Sequence, residues 1–125
     1  MTRRRHAPLL LLCLAAAALP AGCAEDEPAA RAESGRVAVT ARDFRYDPQE
    51  IRASAGRLRF DLVNRGRLAH TFRLERRNHI VAKVSSLLPG DRATKTVRVR
   101  AGEYRFFCAL ANHEELGMYG TLIVK

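Results

Sequence analysis

Arg57-Leu58-Arg59-Phe60-Asp61-Leu62 puts Leu58, Phe60 and Leu62 on one side of an extended chain and charged residues on the other. Side chains alternate across a strand with period two, so this stretch reads as a half-buried β-strand. The pattern recurs on both sides of it. In Arg36-Val37-Ala38-Val39-Thr40 the valines share a face, and in Thr96-Val97-Arg98-Val99-Arg100 Val97 and Val99 point inward. Tyr104 to Phe107 and Thr121 to Val124 are two more short apolar runs. Turn residues separate the runs: Asp47-Pro48, Ala55-Gly56, Asn64-Arg65-Gly66, Pro89-Gly90-Asp91 and Ala101-Gly102. No segment shows a capped stripe of helical period, and Asn112 to Leu116 has room for one turn. Short strands at this spacing predict an all-β Greek-key sandwich or barrel of about seven to eight strands. Greek-key connections bring sequence-distant loops to one end.

With 125 residues the chain can form one compact domain. Residues 1–22 stand apart from it. Arg3, Arg4 and Arg5 make a positive start, Ala7 to Leu19 an apolar core, and Leu19-Pro20-Ala21-Gly22 a small-residue end before Cys23. This is the form of a secretory signal, too short to span a membrane. A cysteine after Ala21-Gly22 resembles the lipobox of bacterial lipoproteins, in which it is lipidated; Pro20 departs from the usual leucine three places before it. The alternative is an ordinary signal that leaves Cys23 a free thiol. Residues 23–35 are polar and acidic, as a flexible tether would be. The domain then runs from 36 to 125.

Charge divides the same way. Residues 1–22 carry three arginines, and residues 23–35 carry four acids against Arg31. Residues 36–125 carry 18 Lys and Arg against 9 Asp and Glu, so +3, −3 and +9 sum to the net +9 of the chain. The positive residues mostly alternate with apolar ones instead of forming blocks, which fits solvated strand faces and argues against nucleic acid. An acidic partner or the membrane surface is a second reading.

Of the three cysteines, Cys13 lies in the signal and Cys23 at the lipobox, so Cys108 remains alone in the domain. An unpaired cysteine in an exported protein needs a reason, and holding a metal is one. Cys108 begins a spaced set: four residues separate it from His113, and four more separate His113 from Met118. Thiolate and imidazole bind copper strongly and a thioether adds a weak axial contact, while Cys and two His also suit zinc. His70 is the candidate second histidine, placed after Asn64-Arg65-Gly66-Arg67-Leu68 at a strand's opening. His79 matches no ligand position and reads as a surface residue.

From Val37 to Lys125 the chain resembles the cupredoxins, the plastocyanin and azurin family of type 1 copper proteins. The shared pieces are Asp43-Phe44-Arg45-Tyr46-Asp47-Pro48, Ala55-Gly56 before a strand, Asn64-x-Gly66-x-x-x-His70, the Cys108, His113, Met118 loop and Gly120-Thr121-Leu122-Ile123-Val124. The loop spacing is most similar to auracyanin, rusticyanin and sulfocyanin. The resemblance implies one copper per chain, held by His70, Cys108, His113 and, weakly, Met118. It also implies a weak contact from the Ala69 carbonyl, and support from Asn64 and from Thr71, where the family often has Asn or Ser. A site with four protein ligands has no open position for substrate, so no enzyme and no catalytic residue is expected; Glu114 and Glu115 read as loop surface.

The function implied is a one-electron carrier cycling Cu(II) and Cu(I), anchored by lipid to the outer face of the cell membrane or in the periplasm. A soluble secreted form is the alternative location. Leu110, Ala111, Leu116 and Tyr119 are candidates for an apolar rim that docks a redox partner, acidic or part of a respiratory complex. A monomer is expected. The rival function is copper delivery, storage or resistance without electron shuttling. Carriers for transfer tend to use exposed Met- and His-rich tracts, and this chain has two Met, one of them the initiator.

Overall fold

The computed structural model describes residues 29–125. The signal (1–22), Cys23 and the first part of the acidic tether lie outside the described residues. Ten strands form two sheets. In chain order they are β1 Ala30–Arg31, β2 Arg36–Arg42, β3 Arg45–Asp47, β4 Glu50–Ala53, β5 Gly56–Asn64, β6 His70–Arg76, β7 His79–Leu87, β8 Arg92–Val99, β9 Gly102–Phe107 and β10 Tyr119–Val124. One sheet runs β3-β2-β5-β8 and the other β1-β4-β10-β9-β6-β7. The architecture is the expected all-β sandwich.

The alternation read from the sequence decides which face each strand turns inward. Val37 and Val39 of β2 and Leu58, Phe60 and Leu62 of β5 are buried, while Arg57 and Arg59 are exposed. The six-stranded sheet answers with Phe72, Leu74, Phe106 and Leu122. Phe72 lies at the centre, its ring 5.2 Å from Phe60, 5.7 Å from Phe106 and 5.9 Å from Tyr46. Each fully buried aromatic or aliphatic side chain of this kind stabilises the fold by about 1.5–3 kcal/mol.

The expected seven to eight strands become ten among the described residues. Four of the ten gave little signal. β1, β3 and β4 have two, three and four residues, too few to show a period. In β7, Ile80 and Val81 are exposed and only Ala82 and Leu87 are buried, so no alternation marks it. Ala30 and Arg31, inside the stretch read as tether, pair in parallel with Ile51 and Arg52 through backbone groups, which leave no trace in side-chain pattern. His79 opens β7 and is exposed. As expected, Asn112–Leu116 makes one turn, closed by Leu116 N–H donating to Asn112 O at 3.1 Å. No helix among the described residues is long and apolar enough to cross a membrane.

Two crossings position the functional end. β5 leaves the four-stranded sheet at Asn64, and the chain enters the other sheet at His70. β9 and β10 are antiparallel neighbours with Phe107 opposite Tyr119, so everything between them loops out from one end.

Candidate metal centre

The loop from Ala109 to Met118 is fixed by its own backbone. Cys108 N–H donates to Met118 O at 3.1 Å, and Met118 N–H donates to His113 O at 3.0 Å. Asn112 and Gly117 take φ of 64° and 109°, the left-handed region that lets a chain reverse tightly. Gln49 Nε2 ties the loop to the neighbouring strand by donating to Gly117 O at 3.0 Å and Tyr119 O at 2.9 Å.

His70 is held from the other side. Asn64 is buried; its Nδ2 donates to Leu68 O and to Leu87 O, both at 2.8 Å, and its Oδ1 accepts Gly66 N–H at 2.8 Å. Asp43 accepts Arg67 N–H at 2.7 Å and Leu68 N–H at 3.3 Å and pairs with Arg67 Nε at 3.0 Å. The backbone hydrogen bond from Arg67 is the main cause that holds the Asp43 carboxyl below its usual range. The loop that delivers His70 is therefore braced along its length before any metal arrives.

These two loops bring His70, Cys108 and His113 together, with their candidate ligand atoms all within 4.8 Å of one another. The His70 and His113 Nδ1 atoms are 3.3 Å apart, and Cys108 Sγ is 3.5 Å from His113 Nδ1. Donors separated in this way fit one ion with bonds of about 2.0–2.3 Å to nitrogen and sulfur. Burial, and then the nearby His113, hold His70 towards the neutral form, the form that ligates a metal. His70 Nε2 is buried without a partner among the described residues, so its ring is oriented by packing and by what binds Nδ1. Met118 is fully buried in the same core cluster as Cys108.

Thr71 links the two ligand segments. Its N–H points to Cys108 Sγ at 3.3 Å, its hydroxyl donates to the same sulfur at 3.7 Å, and it accepts Ala109 N–H at 2.8 Å. β6 and β7 fall out of register here: Leu87 is opposite His70, and Val84 is already opposite Phe72. A bulge disrupts a ladder locally and re-aims the groups beside it. The Thr71 amide, at that break, is directed at the sulfur. Tyr46 O–H donates to Thr71 O from beneath, and burial, then the charge of Cys108, raise the Tyr46 phenol's affinity for its proton.

Three supporting residues were missed from sequence. Phe44 packs its ring edge-to-face against His113, with centroids 5.1 Å apart; Asp43 braces the His70 loop; Gln49 holds the other. The only signal was the run Asp43 to Pro48, in which an acid and an aromatic stand side by side between strands. Ala69 is half-buried at the junction before His70. Leu110, Leu116 and Tyr119 are exposed, as is Ala111. Leu68, whose own carbonyl Asn64 binds, and Leu88, which follows the bound Leu87 carbonyl, are also exposed.

Solved structures share this fold. Auracyanin from the photosynthetic bacterium Roseiflexus castenholzii matches with a TM-score of 0.67 at 20% identity, over 74% of this chain and 98% of its own. Rusticyanin from Thiobacillus ferrooxidans matches with a TM-score of 0.63 at 19% identity, over 76% of this chain and 80% of its own. A multicopper oxidase matches with a TM-score of 0.59 at 23% identity, over 72% of this chain but 41% of its own. At such identities the likeness is one of fold. No curated protein sequence matches the chain significantly. The model of the cupredoxin-like domain family matches residues 9–124. With His70, Cys108 and His113 converging beside Met118, the arrangement is that of a type 1 copper site, and the chain belongs to the cupredoxin-like family.

Proposed function

We propose that the protein is a one-electron carrier that is exported and tethered to the membrane. In this reading His70 and His113 would hold copper through Nδ1, Cys108 through its thiolate, and Met118 and the Ala69 carbonyl as weak further donors. Bound copper supplies the Cu(II)/Cu(I) couple. The protein's part is to keep the donors still while charge changes, so that little reorganisation accompanies each transfer.

One observation carries the reading: the three strong donors already lie within 4.8 Å of one another, with His113 Nδ1 3.3 Å from His70 and 3.5 Å from Cys108, and Thr71 links the two loops that carry them. A site shaped in advance suits electron exchange; a delivery site must open to release its ion. His113 is the half-buried member of the set, whereas His70 and Cys108 are buried. Electrons would enter and leave at its edge, with Leu110, Ala111, Leu116 and Tyr119 as the rim that meets a redox partner. Leu68 and Leu88 extend the same rim. The partner would be acidic or part of a respiratory complex, and the protein a monomer held through lipid on Cys23 at the outer face of the membrane or in the periplasm.

The test is repeated reduction and reoxidation of the copper-loaded protein in the presence of a Cu(I) chelator. A carrier returns to the same oxidised spectrum through many cycles with its copper retained. Loss of copper to the chelator on first reduction contradicts electron carriage and supports delivery.

A further inference from the structure

The basic charge of the domain is concentrated on one face. On the three long strands of the four-stranded sheet, Arg36, Arg42, Arg57, Arg59, Arg92 and Arg98 all point outward and are exposed. Asp61 is the one carboxylate among them, so six positive charges against one leave five in excess on this face of the three strands. Asp61 is engaged by Arg36 and Arg59, at 3.0 and 2.7 Å. Among the described residues no carboxylate is paired with Arg42, Arg57, Arg92 or Arg98. The opposite sheet carries more acid: Arg31, Arg52, Arg73, Arg76, Lys83 and Arg105 stand there with Glu50, Glu75 and Glu103, an excess of three, and Arg52 pairs with Glu50.

Arg57 and Arg98 are direct cross-strand partners in the β5–β8 ladder. Like charges directly opposite each other in a sheet are unfavourable. Charge on the edge strand β8 has an ordinary use, since it discourages sheet-to-sheet association. That use does not extend to β2 and β5, which are interior strands, and the unpaired Arg42 and Arg57 lie there. A sheet face that keeps uncompensated arginines on interior strands is suited to an extended anionic surface.

The place where the chain leaves the described fold indicates which surface. Ala30, Arg31, Glu33 and Ser34 border the same groove as Arg36, Ala38 and Asp61, so the N-terminal segment departs beside this face. Six residues separate Cys23 from Ala30. At no more than about 3.6 Å per residue, a lipid on Cys23 would hold β1 within about 25 Å of the bilayer. We propose that the outer face of β2, β5 and β8 docks on anionic phospholipid headgroups and lays the domain sideways on the membrane. This rests on the tethered-carrier reading and deepens it. Docked so, the metal-bearing end faces along the membrane, where partners embedded in it lie. Each arginine near an anionic leaflet adds favourable energy that decays within a Debye length, so the contact is salt-sensitive.

The test uses the full chain, exported and processed by its host, with copper bound. It is added to vesicles of phosphatidylcholine alone, or of phosphatidylcholine with about one-third phosphatidylglycerol. Sedimentation with phosphatidylcholine vesicles at high salt reads the lipid tether by itself. Phenylglyoxal modification read by mass spectrometry then reports which arginines are covered. The expected result is at least about threefold slower modification of Arg57, Arg59 and Arg98 on phosphatidylglycerol vesicles, with Arg73 on the other sheet unchanged. High salt should erase the protection, and so should the Arg57→Gln/Arg98→Gln variant at the remaining arginines. Equal modification on both vesicle types overturns the docking face, even if the protein sediments through its tether. Protection in native membranes but not on pure phosphatidylglycerol vesicles also overturns it, by assigning the face to a protein partner. If tethering fails but phosphatidylglycerol-dependent protection persists, the face stands and the anchor falls.

Discussion

Replacing Thr71 by valine tests how the protein sets its copper site. Valine keeps the β-branched shape and the Thr71 N–H bond to Cys108 Sγ at 3.3 Å, and it removes only the hydroxyl. Two contacts go with it: the acceptor for Ala109 N–H at 2.8 Å and the donor to Sγ at 3.7 Å. Thr71 is buried and Ala109 half-buried, so the Ala109 amide loses its partner at a site only partly open to water. An unsatisfied donor of this kind costs about 1–3 kcal/mol, which the metal-free protein should show in a denaturant titration. The lost bond to sulfur acts on the potential. A thiolate carries more negative charge opposite Cu(I) than Cu(II), so a donor to it favours the reduced state, and removing the donor lowers the potential. At 3.7 Å the bond is long, and a differential of about 0.5–1 kcal/mol is a fair share of a charge-assisted hydrogen bond. For one electron that is about 20–45 mV, measured by voltammetry. Thr71→Ser keeps both contacts and should stay near the wild-type potential. A Thr71→Val potential unchanged or raised, or a metal-free stability within about 0.3 kcal/mol of wild type, would refute the reasoning.

Asn64→Ala leaves the Leu68 and Leu87 carbonyls and the Gly66 amide without their partner, at a buried position. It should cost about 2–4 kcal/mol in thermal or denaturant unfolding and weaken metal retention through the His70 loop. Gly120→Ala puts a methyl group into the Phe106 ring and the Gln49 carbonyl, between two packed strands. Overpacking there should cost about 1–3 kcal/mol or prevent folding, visible as a lowered melting temperature or insoluble product. Asp61 is held down to about 2 by hydrogen bonds from Arg59, then Arg36. A depressed folded value gives stability that is present above the unfolded value of 3.8 and lost as pH falls towards about 2. Asp61→Asn should therefore flatten the acid-unfolding slope between those values and leave neutral-pH copper colour unchanged.

Much of the fold was readable because β2, β5, β8, β9 and β10 alternate buried apolar with exposed polar residues, and period two is visible without partners. β7 was not, since Ile80 and Val81 face solvent and the strand is held by backbone pairing with β6. The candidate ligands were readable for a different reason. Cys108, His113 and Met118 sit in one loop, so their spacing is itself the signal, and the Asn64-x-Gly66 turn points to His70. The bracing residues are hidden because they act across the chain. Asp43 and Arg67 are far apart in sequence, as are Gln49 and Gly117, and no local period reports such a contact. Thr71 is the instructive case. It looked like a departure from the family's Asn or Ser, yet its hydroxyl makes the link between the two loops.

The central claim is that Cys108 binds copper as a thiolate within this cluster, and the visible spectrum of the Cu(II)-loaded protein tests it most directly. An intense thiolate-to-copper charge-transfer band, blue or green, that is absent from Cys108→Ser is the predicted result. A protein that binds Cu(II) but stays nearly colourless, or a band that survives in Cys108→Ser, would contradict it.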